Sequence, residues 1–386
     1  MNGPCYLVLA DGEIYSGTSF GAVPPDVEKL ADLQTGIRHA GEVLFNTGMS
    51  GYHEILTDPS YTGQIVVMTY PHIGNYGVDD DWCEVGFYPE NRPGPIQVSG
   101  FAVRSLYSGP VPADRKTLHD YMKENNIPGI SGIDTRALTL RLRDKGSING
   151  IIVGTDKGDL TADGIKKVLD YLKRVPAMEG LDLLPFVGAD RVISGKNKGL
   201  NVALLDCGSK ANIVRELEKR DCNLTVYPSS TKAEEILERK PDGILVSNGP
   251  GDPGVLKSLI NELKKMIGKT AIFGICLGHQ TLCLALGGKT RKMKFGHHGL
   301  NHPVRNEFDK KVIVTSQNHG FVVDEASLPK DADIWFRNAN DGTLEGIMCR
   351  ERKLMTTQFH PEASPGPVDS SWIFDEFIKL IKDNKE

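Results

Sequence analysis

Three side chains of this 386-residue chain have the types and spacing that covalent chemistry at a carbonyl requires: Cys276, His360 and Glu362. Cys276 lies in residues 271–286, AIFGICLGHQTLCLAL. Ala271, Ile272 and Phe273, closed by Gly274, read as a buried strand of a parallel sheet. From Gln280 onward, Leu282, Leu284, Ala285 and Leu286 supply the apolar face of a helix that stops at Gly287-Gly288. Cys276 therefore falls at the strand-to-helix turn. Gly274 and Gly278 place no side chain beside it, so the backbone can bend sharply and present the sulfur to a substrate. The free amides and dipole of a helix N-terminus also stabilise negative charge on that sulfur. Cys283 has no such setting and is expected in the core.

A nucleophilic thiolate needs a base to manage its proton and a group to orient that base. The segment LMTTQFHPEASPGP ends a strand and places His360 and Glu362 two residues apart in a proline-bounded loop. Pro361 stiffens the link, so the imidazole can face the sulfur while the carboxylate holds its other nitrogen in one tautomer. A plain surface turn is the alternative, but such turns rarely accompany a cysteine elbow.

The elements that must position these groups follow from the pattern after Leu200. Strand-like LNVALLD, a helix over 209–220, a strand over 223–227, a helix over 231–239 and GILVS alternate as in a parallel α/β sheet. The loop Asn248-Gly-Pro-Gly-Asp-Pro follows the strand 243–247, and ligands of such sheets bind beyond the carboxyl ends of strands. A simple Gly-Pro turn is the alternative. SSWIFDEFIKLIKD reads as an amphipathic closing helix.

The first half reads differently. Asp11-Gly12 predicts a hairpin between strands at 5–10 and 13–16. Strands at 43–45 and 65–69 enclose a loop rich in Gly, Ser, Asn and Asp, and a third strand is expected over 96–103. Helices are expected over 117–124 and from N-cap Asp134 to Gly146, the latter with Ala137, Leu138 and Leu142 on its buried side. A strand at 148–153 returns. Residues 155–198, with a helix near 160–174, read as a connector.

The length exceeds that of one ordinary domain, so two are expected, and 39% hydrophobic content supports full cores. A net charge of −5, with one short basic run from Lys289 to Lys294, gives no support for a nucleic-acid partner. Seven cysteines without a CxxC pair suggest reduced thiols and a cytoplasmic protein. The start, MNGPCYLVLADGE, lacks a basic n-region, and its apolar run is too short for a signal peptide or membrane span. His297, His298 and His302 in KFGHHGLNHPV invite a metal site. With no carboxylate or cysteine at ligand spacing, a polar interdomain loop is expected instead and no metal. No Gly-x-x-x-x-Gly-Lys phosphate loop is present.

Gly274, Cys276, Gly278 and Gln280 resemble the elbow of the class I (triad) glutamine amidotransferases, and His360 with Glu362 resembles their His-x-Glu pair. NTGMSGYHEILTDPSY and TYPHIGNYG within 46–77, and GISGIDTR at 129–136, resemble the N-terminal domain of the carbamoyl-phosphate synthetase small chains. The likeness covers nearly the whole chain. It implies an α/β protein with a class I amidotransferase domain at 199–386, a mostly parallel sheet flanked by helices. A mixed α/β domain at 1–152 that docks a large subunit, and a connector at 153–198, complete it.

By the same resemblance, Cys276, His360 and Glu362 are catalytic, and the Gly249 and Leu277 amides form an oxyanion hole. Gly251 borders the substrate, while Gln280, Asn318, Gly320 and Phe321 belong to the glutamine site. Gly48 stands where some members carry a serine that reaches toward glutamine, and His53 stands where glutamine is usual. The implied activity is hydrolysis of L-glutamine through a thioester, with ammonia passed to the large subunit for carbamoyl phosphate in arginine and pyrimidine synthesis. No cofactor is expected in this chain; ATP and Mg2+ belong to the large subunit. A free-standing amidase and a non-catalytic scaffold of the same fold are the competing readings. The N-terminal domain argues against the first, and the retained Cys276, His360 and Glu362 against the second.

Overall fold

The structure is a computed structural model that describes residues 3–33, 36–87, 94–156, 158–195 and 198–385. It divides into two units, Met1–Cys83 with Pro93–Met178 and Glu84–Arg92 with Glu179–Glu386. Residues 153–178 of the expected connector thus fall in the first unit and 179–198 in the second, while 157 and 196–197 lie outside the described residues.

The first unit is built on a closed barrel. Its strands run in the order Pro4–Leu9, Ile14–Gly21, Pro128–Ser131, Gly100–Val103, Gln64–Met68, Ala40–Asn46 and Ile148–Gly154, the last pairing back with the first. The first two form the Asp11-Gly12 hairpin, in which Gly12 takes a φ of +89° that suits glycine. Period-2 alternation sorts the wall: Leu7, Leu9, Val43, Ile65 and Val67 enter one cluster, whereas Tyr6, Val8, Ile151 and Val153 enter another. The second cluster is covered by the helix Ala162–Leu172 through Val168, Tyr171 and Leu172. Asp134 caps the helix Thr135–Lys145 by accepting from the Ala137 amide, and Gly146 ends it. The strand expected over 96–103 is shorter, Gly100–Val103: the Gln97 amide bonds to the Leu56 carbonyl outside the sheet, and pairing with Gln64–Met68 begins only where the Ser99 amide reaches the Gln64 carbonyl.

The second unit carries a sheet ordered Ile193–Ser194, Asn223–Pro228, Asn201–Asp206, Gly243–Val246, Ala271–Ile275, Leu354–Thr357, Leu344–Cys349, Asp333–Asn338, Lys289–Asn306 and Val312–Asp324. From Asn223–Pro228 through Leu354–Thr357 the pairings are parallel, and beyond Leu354–Thr357 the sheet continues antiparallel. Both faces of the parallel part are apolar, as such sheets require. Leu204, Leu245, Phe273 and Ile275 face one layer with Phe374 and Phe377 of the closing helix Ile373–Asp383. Leu205, Ile244, Val246 and Ile272 face the other, with Leu259 and Leu263 of the helix Lys257–Met266. Phe273 is fully buried with ring centroids 5.9 and 5.5 Å from Phe374 and Phe377. Burial of one such side chain contributes about 1.5–3 kcal/mol.

The stretch holding His297, His298 and His302 is not a loop: it lies within the strand Lys289–Asn306, paired with Val312–Asp324. Register shifts between Lys292 and His297 and between Gly299 and His302 break the two-residue alternation by which a strand is recognised.

Candidate active site

The turn at Cys276 has the geometry of a strained elbow. Cys276 sits between the strand Ala271–Ile275 and the helix Leu277–Ala285 with φ 52° and ψ −102°. A non-glycine residue in such a region costs on the order of 1–3 kcal/mol and persists only where surrounding structure imposes it. Here the Cys276 amide donates to the Thr357 carbonyl at 2.8 Å, and the Cys276 carbonyl accepts from Gln280 at 3.1 Å. The flanking glycines have a steric reason. A Cβ on Gly278 would lie 2.2 Å from the Val246 carbonyl oxygen, and one on Gly274 would lie 2.7 Å from the Gly278 carbonyl. Neither position accepts a side chain unless helix and strand move apart.

Around the buried sulfur the structure gathers groups from distant segments. Sγ lies 3.6 Å from the Asn318 carbonyl oxygen and 3.7 Å from Gln358 Nε2. The Asn318 side chain is itself held, its Oδ1 lying 2.9 Å from His298 Nδ1. Gln280 Nε2 donates to the Phe321 carbonyl at 2.9 Å and to Gln358 Oε1 at 3.1 Å, joining the helix to the strand Val312–Asp324 and to the residue just after Leu354–Thr357. A Cβ on Gly320 would meet nothing within 4 Å, so the chain beside Phe321 faces open space. On the loop after Gly243–Val246, a Cβ on Gly249 would lie 2.9 Å from Leu277 Cδ2, which puts that loop against the first residue of the helix. Gly251, at φ +95°, packs on Leu181.

His360 and Glu362 follow the strand Leu354–Thr357 in a loop pinned by the His360 amide, which donates to the Ser316 carbonyl at 3.0 Å. His360 Nδ1 lies 2.6 Å from Glu362 Oε1, with both side chains about 1% exposed or less. Burial opposes charge on the His360 ring, but the Glu362 carboxylate and the Cys276 sulfur outweigh it and hold the imidazolium above the usual histidine range. Burial likewise pushes the Glu362 carboxyl up, and Lys210 and His360 override it, holding the group ionised well below the usual carboxylate range. Nε2 of His360 has no hydrogen-bonded oxygen or nitrogen, which leaves it for the sulfur.

Sequence reasoning missed three of these partners. Lys210, 1% exposed, places Nζ 3.2 Å from Glu362 Oε1 and also donates to the Ala363 carbonyl. Asn212 donates to the Glu362 carbonyl. Gln358 reaches both Cys276 and Gln280. Lys210 carried a signal: it falls just past the carboxyl end of the strand Asn201–Asp206, the edge where such sheets place ligands. Gln358 and Asn212 carried none. Gly48 belongs to the first unit, where its amide donates to Asn46 Oδ1 at 2.7 Å. His53 in the same unit is fully buried, and burial lowers its pKa to about 4.

Residues 7–152 match the family described as carbamoyl-phosphate synthase small chain, CPSase domain, and residues 203–380 match glutamine amidotransferase class-I. Over 381 residues the chain is 46% identical to the carbamoyl phosphate synthase small chain of Methanocaldococcus jannaschii, covering 98% of this chain and 99% of that one. The chain belongs to the carbamoyl phosphate synthase small chain family. Small chains of Clostridium perfringens and Methanopyrus kandleri are 45% and 42% identical, each spanning at least 97% of this chain and 98% of their own. The class-I amidotransferase match of this carbamoyl phosphate synthase small-chain member encloses the elbow, the Gly249 loop, Asn318–Phe321 and the His360–Glu362 pair. Among its described residues no helix is long and apolar enough to cross a membrane.

Proposed function

We propose that this chain is the glutaminase subunit of a cytoplasmic carbamoyl-phosphate synthetase, and that Cys276 is its nucleophile. The observation that supports this most directly is the buried His360–Glu362 pair at 2.6 Å, with the free face of the imidazole directed to a strained cysteine elbow. The Cys276 thiol first gives its proton to His360, whose ring favours the charged form, and Sγ then attacks the side-chain amide carbon of L-glutamine. His360 then protonates the departing nitrogen, the C–N bond breaks, and ammonia leaves a glutamyl thioester. Water, deprotonated by the same ring, attacks the thioester carbon and releases glutamate and the thiol. Glu362, held by Lys210, fixes the tautomer of His360 throughout.

In this reading the Gly249 and Leu277 amides receive the developing oxyanion, a contribution on the order of 10² to 10³ in rate. Backbone groups of Asn318, Gly320 and Phe321 hold the α-amino and α-carboxylate groups of glutamine. Gln280 positions them, and Gly251 borders the pocket. Gly48 offers no hydroxyl to the substrate. Ammonia at neutral pH is mostly ammonium, which has no lone pair for attack, so the product must pass along a protected path to a docked synthetase. We assign docking to residues 1–152 and ATP and Mg2+ to the large chain, which makes carbamoyl phosphate for arginine and pyrimidine synthesis.

The test is glutamate release with and without a carbamoyl-phosphate synthetase large chain, bicarbonate and ATP. Co-elution on gel filtration and a clear rise in turnover on mixing are expected. Equal turnover with no co-elution would make a free-standing amidase the better reading.

A further inference from the structure

On the antiparallel side of the sheet lies a buried polar layer that glutamine hydrolysis does not use. His297 of Lys289–Asn306, Gln317 and His319 of Val312–Asp324, and Glu345 of Leu344–Cys349 are all 6% exposed or less. The His297 and His319 rings meet edge to face at 5.0 Å. The carboxylate that the local sequence around His297 lacks is supplied by Glu345 from two strands away, with His297 Nδ1 3.5 Å from Glu345 Oε1.

We propose that His297, His319 and Glu345 form a binding site for a divalent transition-metal ion of the zinc class. One donor atom from each lies within 4.8 Å of the others, a spread that small side-chain rotations can close around one ion. The outer nitrogen of each imidazole is already engaged: His297 Nε2 lies 2.9 Å from Asp341 Oδ2, and His319 Nδ1 lies 2.8 Å from the Phe321 carbonyl oxygen. Both partners are acceptors, so each holds an N–H on the outer side, and in neutral rings the lone pairs of His297 Nδ1 and His319 Nε2 turn inward. Without an ion, burial opposes charge on the His297 ring but Asp341 and Glu345 outweigh it, so an ion would displace a proton there. A carboxylate or carbonyl on the outer nitrogen is the arrangement that orients metal-ligating histidines.

Gln317 supplies a second, independent observation. Its Oε1 lies 2.9 Å from His319 Nε2, and its Nε2 lies 3.0 Å from Glu345 Oε2. With the only N–H of a neutral His319 given to Phe321, His319 Nε2 and Gln317 Oε1 are two acceptors face to face. Turning the amide over only moves the mismatch to Glu345. A cation between His319 Nε2 and the Glu345 carboxylate removes it, and Gln317 Oε1 becomes the fourth donor. Charge agrees for Glu345, which is fully buried and whose carboxylate a dication would pair, while Asp341 stands at the partly exposed rim. Two nitrogens and a carboxylate oxygen with one further position are a donor set that zinc accepts.

The test uses the full chain carrying Cys276→Ala, so that the thiol and His360 cannot capture the ion. Chelator-stripped protein is titrated with zinc chloride by calorimetry and with cobalt chloride by visible absorption. We expect about one equivalent bound, a cobalt spectrum without thiolate charge-transfer bands, and binding roughly 10-fold or more weaker in Asp341→Asn. Glu345→Gln should lose binding at the concentrations used. Asp341 is 41% exposed, so its variant should keep the fold and decides the matter alone should Glu345→Gln not fold. Saturation below half an equivalent, or an affinity unchanged in a folded variant, overturns the proposal.

Discussion

Nζ of Lys210 lies 3.2 Å from Oε1 of Glu362, the same oxygen that holds His360 Nδ1 at 2.6 Å. The lysine is buried with the carboxylate, so removing its charge acts on the pair without solvent to screen the change. Lys210 is the first of the influences that hold the Glu362 carboxyl down against burial. In Lys210→Met the upward push of burial is opposed chiefly by His360 alone, so Glu362 takes up a proton at a higher pH than in the parent. A protonated Glu362 no longer fixes His360. The acid limb of the kcat/KM profile for glutamate release should therefore move to higher pH by at least about one unit, equivalent to roughly 1.4 kcal/mol. A profile that merely drops in height, with its acid limb in place, would show that Lys210 acts only in packing.

Acid and base duties fall on one ring. His360→Asn should leave glutamine binding intact while stalling both formation and hydrolysis of the thioester, a loss of roughly 10² to 10⁴ in kcat. Glu362→Gln removes only the orienting partner of His360 and should lose less. Steady-state kinetics of the two variants decide this, and equal losses would mean that the roles are misassigned.

Gly278→Ala is expected to be destabilising out of proportion to one methyl group. The new Cβ would fall 2.2 Å from the Val246 carbonyl oxygen, backbone that cannot swing aside. Overpacking of this kind costs about 1–3 kcal/mol, read as a lower midpoint in denaturant, and the displaced elbow should also lose glutaminase activity. Gly287→Ala is a control on steric grounds, because a Cβ there meets nothing within 4 Å, although its φ of +95° adds some strain. If Gly278→Ala melts with the parent, the close approach of helix and strand is not a constraint.

Gln358→Leu removes the amide that reaches both the Cys276 sulfur and Gln280 while keeping similar bulk. Gln280 then keeps the Phe321 carbonyl but loses its own anchor. KM for glutamine should rise roughly ten-fold, the effect of about 1.4 kcal/mol, with a smaller change in kcat. An unchanged KM would remove Gln358 from the site.

The legible parts of this molecule were those encoded by local chemistry. Glycines at a strand-helix junction marked Cys276, a two-residue spacing marked His360 and Glu362, Asp-Gly marked the first hairpin, and Asp134 and Gly146 marked the ends of one helix. What stayed hidden depends on pairings between distant residues. Closure of the barrel rests on Pro4–Leu9 meeting Ile148–Gly154, which no period in either segment announces. The strand Lys289–Asn306 was hidden by its own register shifts, which break alternation where the histidines fall. Lys210, Gln358 and Glu345 are single polar residues whose partners come from other strands or loops.

The most direct measurement of the central claim is glutamate release by Cys276→Ser beside Cys283→Ser. Serine at position 276 would need an alkoxide, far harder to form near neutral pH than a thiolate, at a base arranged for sulfur. Cys283 is buried in the core with Leu282 and Ile347, its sulfur 3.7 Å from His279 Nδ1. A folded Cys276→Ser protein should be slowed by at least roughly 10³-fold, and a Cys283→Ser protein should stay within about a factor of two of the parent. A Cys276→Ser protein that releases glutamate at close to the parental rate would contradict the assignment of Cys276 as nucleophile.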